Sequence, residues 1–140
     1  MKFDKSLFSF DGRARRSQFW LTRILIGVAL VVVIGILGAI GRAVDPTAGQ
    51  PGATNLSPVS MIIGLVSVAL IVVAIWMDLA VTVKRCHDRD KSGWFILIAF
   101  IPIIGGIWLL IELGFLDGAP RPNKYGPSPK YPDPAAQAFA

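Results

Sequence analysis

Residues Val59–Val83 read VSMIIGLVSVALIVVAIWMDLAVTV, a run whose single charge is Asp78. As an α-helix rising 1.5 Å per residue it reaches about 37 Å, more than the roughly 30 Å of a bilayer's hydrocarbon core. The run has no polar side to turn toward water, and inside lipid every backbone N–H and C=O must find its partner within the segment. It therefore reads as a membrane-spanning helix.

Two further stretches pass the same length test. Trp20–Ile40 (WLTRILIGVALVVVIGILGAI) reaches about 31 Å, and Trp94–Leu116 (WFILIAFIPIIGGIWLLIELGFL) about 34 Å. The third carries Pro102 and the Gly105–Gly106 pair, so it is expected either as one kinked span or as two half-helices that re-enter. The fold class expected is an all-α membrane protein with three transmembrane helices, spans 20–40, 59–83 and 94–116, in a single domain over 1–140. The alternation of a membrane β-barrel is absent from the sequence.

Composition agrees. Of 140 residues, 54% are hydrophobic and 16% charged, against about 25% charged in a soluble domain. A small soluble globule needs more polar surface than this. The formal charge of +5 sits beside the apolar blocks, which assigns it to topology and anionic headgroups and argues against nucleic acid as a partner. One cysteine, Cys86, rules out an intrachain disulfide.

Lysines and arginines orient the chain. The arm before the first span carries Lys2, Lys5, Arg13, Arg15, Arg16 and, just inside it, Arg23. The loop after the second span carries Lys84, Arg85, Arg89 and Lys91, whereas the Gly41–Pro58 loop has Arg42 alone. This contrast places the N-terminus and the second loop in the cytoplasm. Arg15-Arg16 followed by an apolar run faintly resembles an export signal, but the Ile24–Ile40 run is too long for one, so an uncleaved anchor is expected. The arm is expected to form a short interfacial helix. The tail from Asp117, rich in proline, is expected to be extended or disordered over 117–140. Gly35 with Ala39, and Ser60 with Gly64, offer small-residue faces for helix contact.

Candidate chemistry is concentrated in two segments. The arm places Gly12, Arg13 and Arg16 beside the interfacial Trp20, suiting phosphate and headgroup contact. The second loop holds Arg85, His87, Asp88, Ser92, Gly93 and Trp94. Ser92 suits a helix cap and Trp94 an interfacial anchor. Cys86 and His87 fall short of a zinc set, and His87-Asp88 lacks a nucleophile, so neither a metal site nor a catalytic residue is assigned. Asp78 and Glu112 are acids inside apolar stretches and need cationic partners or water. For Asp78 those partners include Arg85 along its own helix, or Arg13, Arg16 or Arg23.

Phe10-Asp11-Gly12-Arg13-Ala14-Arg15-Arg16-Ser17-Gln18-Phe19-Trp20, then Arg85-Cys86-His87-Asp88-Arg89-Asp90-Lys91-Ser92-Gly93-Trp94, then Ile101-Pro102-Ile103-Ile104-Gly105, then Asn123-Lys124-Tyr125-Gly126-Pro127 stand in an order that resembles the YhaH-like family. These are small bacterial inner-membrane proteins, known as domain of unknown function 805. The resemblance implies a multi-pass protein of the bacterial inner membrane and singles out Gly12, Arg13, Arg16, His87, Asp88, Ser92, Gly93, Trp94, Asn123 and Gly126. Where the family often has an apolar residue, this chain has Cys86. The resemblance brings no activity.

The expected function is therefore a non-enzymatic membrane protein without a cofactor. Its cytoplasmic arginine, aromatic and His-Asp face would bind membrane lipids by their headgroups, or a protein partner, with a homo-oligomer as another assembly. A channel or transporter subunit using Asp78 and Glu112 is the alternative. An enzyme acting on a phosphorylated lipid or similar amphiphile through His87–Asp88 ranks last.

Overall fold

The computed structural model describes residues 7–47, 50 and 57–131. It is helical, and no β-strand occurs among the described residues. Helix α1 is Arg16–Val44 and α2 is Pro58–Asp88. A 3₁₀ helix, Gly93–Phe100, is followed by the short α3, Ile104–Leu109, which runs on as a π-helical turn, Leu110–Phe115.

Helices α1 and α2 are both long and apolar enough to cross a membrane, and only 6% of each apolar window is buried within the chain. Side chains such as Val31 and Leu65, 72% and 70% exposed, would be costly in water and are at home against lipid. The chain sorts into two compact units. One holds the residues up to Ile24 and from Met77 onward; the other is Leu25–Trp76.

In the second unit the start of α2 is set by its N-cap. Ser57 accepts the Ser60 N–H at 3.2 Å, with Pro58 at the first helical position, where its missing N–H costs nothing. Asp45, just past α1, accepts from the Thr47 hydroxyl at 2.7 Å, the Ser57 N–H at 3.3 Å and the Ser60 hydroxyl at 3.3 Å. The Thr47 hydroxyl foremost, and then the Ser57 N–H, pull its pKa down to about 2. The small-residue faces are not where the backbones approach. A side chain added at Gly35 or Gly64 would meet open space, whereas one at Gly41 would touch Ile63 at 3.7 Å.

The first unit departs from the sequence expectation in three ways. The arm forms no interfacial helix between residues 7 and 15; α1 itself starts at Arg16, with the Gln18 side chain accepting the Arg15 N–H at 3.0 Å. The charged segment after Val83 is not all loop, because α2 continues through Asp88. The tail between 117 and 131 is non-helical yet packed, with Ser128 only 3% exposed. Residues 132–140, the rest of the expected disordered tail, lie outside the described residues.

Of the two forms expected for the third apolar stretch, one kinked span or two half-helices, the chain takes the second. Ile101, Pro102 and Ile103 turn the chain, with Ile103 at φ 65° and the Ile104 N–H donating to the Pro102 carbonyl at 2.7 Å, a tight positive-φ turn that few β-branched residues adopt. The return limb presses on the outgoing one. A Cβ at Gly105 would lie 1.8 Å from the Ile98 carbonyl oxygen, so only glycine lets the two backbones come this close. Both limbs meet the same end of α2: Gly93 lies against Val83, and Glu112 pairs with Arg89 and Lys91. A small core of Phe19, Val81, Cys86 and Leu113 joins these elements, flanked by Leu7, Trp20, Phe95, Ile96 and Leu109.

Candidate functional site

The last turn of α2 leaves carbonyls without helical partners. These and the carbonyl of Lys84 find partners in the residues just after the helix and in distant segments. The Ala14 N–H donates to the Lys84 carbonyl at 3.2 Å, the Arg89 and Lys91 N–H groups to Cys86, the Asn123 side-chain amide to His87 at 2.8 Å, and the Ala119 N–H to Asp88 at 2.7 Å. The arm, the second loop and the tail are thus tied to one helix end. Arg85 and Asp88, three apart on the same helical face, then supply the charges that lock them.

Asp88 is the hub. Arg13 donates to its carboxylate at 3.0 Å, and Arg85 to its other oxygen. The three side chains are 2%, 0% and 4% exposed for Arg13, Arg85 and Asp88. Each arginine spends its remaining donors on backbone carbonyls. Arg85 reaches Leu113 at 2.8 Å, Ala14 at 3.4 Å and Leu116; Arg13 reaches Ala119, Arg121 at 2.9 Å and Gly126 at 3.3 Å. Buried guanidinium groups in this number are tolerable only because donors and acceptors match throughout. Gly118 passes directly over the hub: a Cβ there would fall 1.9 Å from Asp88 Oδ2.

His87 is held apart from Asp88. Its Nδ1 faces the Gly12 carbonyl at 3.3 Å, and its ring stacks on Tyr125 with centroids 3.6 Å apart at 5°. Asn123 and Gly126 bridge each other's backbone and carry Tyr125 into this stack. His87, Phe10, Val83, Gly93, Trp94 and Tyr125 border a largely apolar cleft of about 560 Å³. Ser92 caps the 3₁₀ helix, accepting from the Trp94 N–H at 3.4 Å. Trp94 itself is 78% exposed.

Of the residues expected at a site, Gly12, Arg13, Arg85, His87, Asp88, Ser92, Gly93, Asn123 and Gly126 come together in this one unit. Trp20 and Arg16 hold its flank, the indole N–H on the Gly114 carbonyl at 3.0 Å and the guanidinium on Phe115 at 2.9 Å. Asp78 and Glu112 do not join them. Asp78 pairs with Arg23 at 2.7 Å, and Glu112 with Arg89 at 2.9 Å and Lys91 at 3.2 Å. Sequence reading missed Tyr125, Gly118, Asp117, Ser128 and Lys130 as participants. The turn-forming Asp117-Gly118 pair right after an apolar stretch was the available signal.

These features define a small helical membrane protein in which three separate motifs are folded into one saturated arginine–aspartate junction. The chain belongs to the family described as Protein of unknown function (DUF805), whose profile matches residues 7–127. It is 34% identical over 131 residues to Inner membrane protein YhaH of Escherichia coli K12, covering 93% of this chain and 94% of that protein. Inner membrane protein YhaI of the same organism is 29% identical over 132 residues, 91% of each. Uncharacterized protein YiiR is 28% identical over 150 residues, covering 90% of this chain and 89% of that one. No solved structure matches.

Proposed function

We propose that the protein is a non-enzymatic element of the bacterial inner membrane, with arm, second loop and tail on the cytoplasmic side forming a rigid platform for anionic lipid headgroups. One observation carries this reading. The junction consumes Arg13, Arg85 and Asp88 internally, while Arg15, Arg16, Arg121, Lys124 and Lys130 lie exposed on the same unit, beside the exposed aromatics Phe8 and Trp94. Basic and aromatic side chains together at the end of apolar helices are what headgroup contact requires. The ion pairs made by Asp78 and Glu112 support a structural role for those acids over an ion pathway.

With α1 and α2 as the two spans and the third stretch re-entering, arm and tail share a side. Cysteines placed in the tail and in the Gly41–Pro58 loop, in a Cys86→Ser background, should be labelled from opposite sides of sealed vesicles. Labelling of both from one side would defeat the topology. Headgroup recognition is read from lipids retained in nanodiscs of mixed composition. At about 1 kcal/mol per interfacial basic residue, the wild type should enrich phosphatidylglycerol over phosphatidylcholine on the order of tenfold at low salt, less as salt is raised. No enrichment would overturn the proposal.

A further inference from the structure

Beside the junction lies a second, polar cleft of about 190 Å³, bordered by Arg15, Arg16, Ser17, Asp117, Ser128 and Lys130, with the Arg85–Asp88 pair as its floor. Its volume holds several waters. At the floor the single Asp88 carboxylate is shared by Arg85 and Arg13, so the floor itself offers no net negative charge. What the cleft offers a visitor is three cations, Arg15, Arg16 and Lys130, against one carboxylate, Asp117. The first turn of α1 also borders it, and that helix end carries partial positive charge.

Asp117 occupies the centre of this charge. It takes the Lys130 ammonium at 3.0 Å and lies 3.9 Å from Arg16, although its side chain is 56% exposed. The Lys130 hydrogen bond holds the Asp117 carboxyl below its ordinary range and, in return, raises the lysine. An exposed carboxylate drawn to two cations stands where a stronger anion would sit.

We propose that this cleft is a phosphate-binding site, taking a phosphate group from a lipid headgroup or from a small soluble phosphate, with Arg15, Arg16 and Lys130 as ligands and Asp117 as the internal competitor. The proposal rests on the platform reading and gives it a specific address. Two guanidinium groups and an ammonium suit phosphate oxygens, Arg as a planar fork and Lys as a point charge. The hydroxyls of Ser17 and Ser128 add neutral donors at the same wall.

The test uses the full chain in phosphatidylcholine nanodiscs, titrated with inorganic phosphate, and in parallel nanodiscs containing phosphatidylglycerol. Arg15→Gln with Lys130→Gln should cost at least tenfold in affinity for whichever probe binds. Asp117→Asn should tighten it on the order of fivefold, since it removes a like charge from the ligand's position. Response to inorganic phosphate assigns a soluble ligand; response to phosphatidylglycerol alone assigns the headgroup. Either supports the site. If the double variant leaves both probes unaffected, or Asp117→Asn fails to tighten binding, the site is refuted, and headgroup enrichment persisting in those variants would leave the platform reading intact. Phosphate binding without any lipid enrichment in the wild type would refute that reading and not the site.

Discussion

Replacing Asp88 by alanine should destabilise the protein by about 3–5 kcal/mol, the cost of leaving buried charges without their counter-ion. Two guanidinium groups, almost fully buried, share that one carboxylate. Without it, the buried Arg13 and Arg85 face each other's charge, and the carbonyls they also serve on the tail and return limb lose their organising centre. The arm, the end of the return limb and the tail should come free together. The readout is the midpoint of unfolding in mixed detergent micelles, with proteolysis of the tail beside it. A midpoint equal to the wild type's would contradict the account. Asp78→Asn is the comparison, because it removes one ion pair, that with Arg23, whereas the Asp88 carboxylate is shared by two arginines; its effect should be clearly the smaller.

Gly105→Ala should be nearly as damaging, while Gly106→Ala, one residue on, should be close to silent. A Cβ at Gly105 meets the Ile98 carbonyl oxygen at 1.8 Å, its carbon at 2.8 Å and the Ala99 Cα at 3.2 Å. All three are backbone, so no rotamer change relieves the clash and the two limbs must separate. Overpacking of this kind costs about 1–3 kcal/mol or more. At Gly106 nothing lies within 4 Å, and an unobstructed substitution stays within about 0.5 kcal/mol. Hydrogen exchange across Gly93–Phe100 would report the loosening directly. Equal behaviour of the two alanine variants would mean that the limbs do not pack as described.

The junction was partly legible beforehand. Arg85 and Asp88 are spaced to meet on a helix, and the basic arm stood out by charge. What sequence could not supply was the helix itself: a charged run after an apolar span reads as loop, and only the capping of its last carbonyls by Ala14, Asn123 and Ala119 explains why α2 continues to Asp88. Likewise the proline-rich tail reads as unstructured because proline removes donors and little of it is apolar. It is ordered through its carbonyls, which accept from Arg13. Backbone acceptors are present in every sequence and so leave no mark in it.

By itself the sequence marked three apolar stretches as spans, and two of them are long apolar helices suited to a membrane, because helix length and the absence of charge are properties of consecutive residues. Pro102 and the Gly105–Gly106 pair marked the third stretch for either a kink or a re-entrant break. That this stretch doubles back, that Asp88 rather than His87 is the hub, and that Asp78 chooses Arg23 were decided by tertiary structure alone. Each depends on which distant groups arrive at one point, and a buried charge accepts only the partner that reaches it with matching geometry.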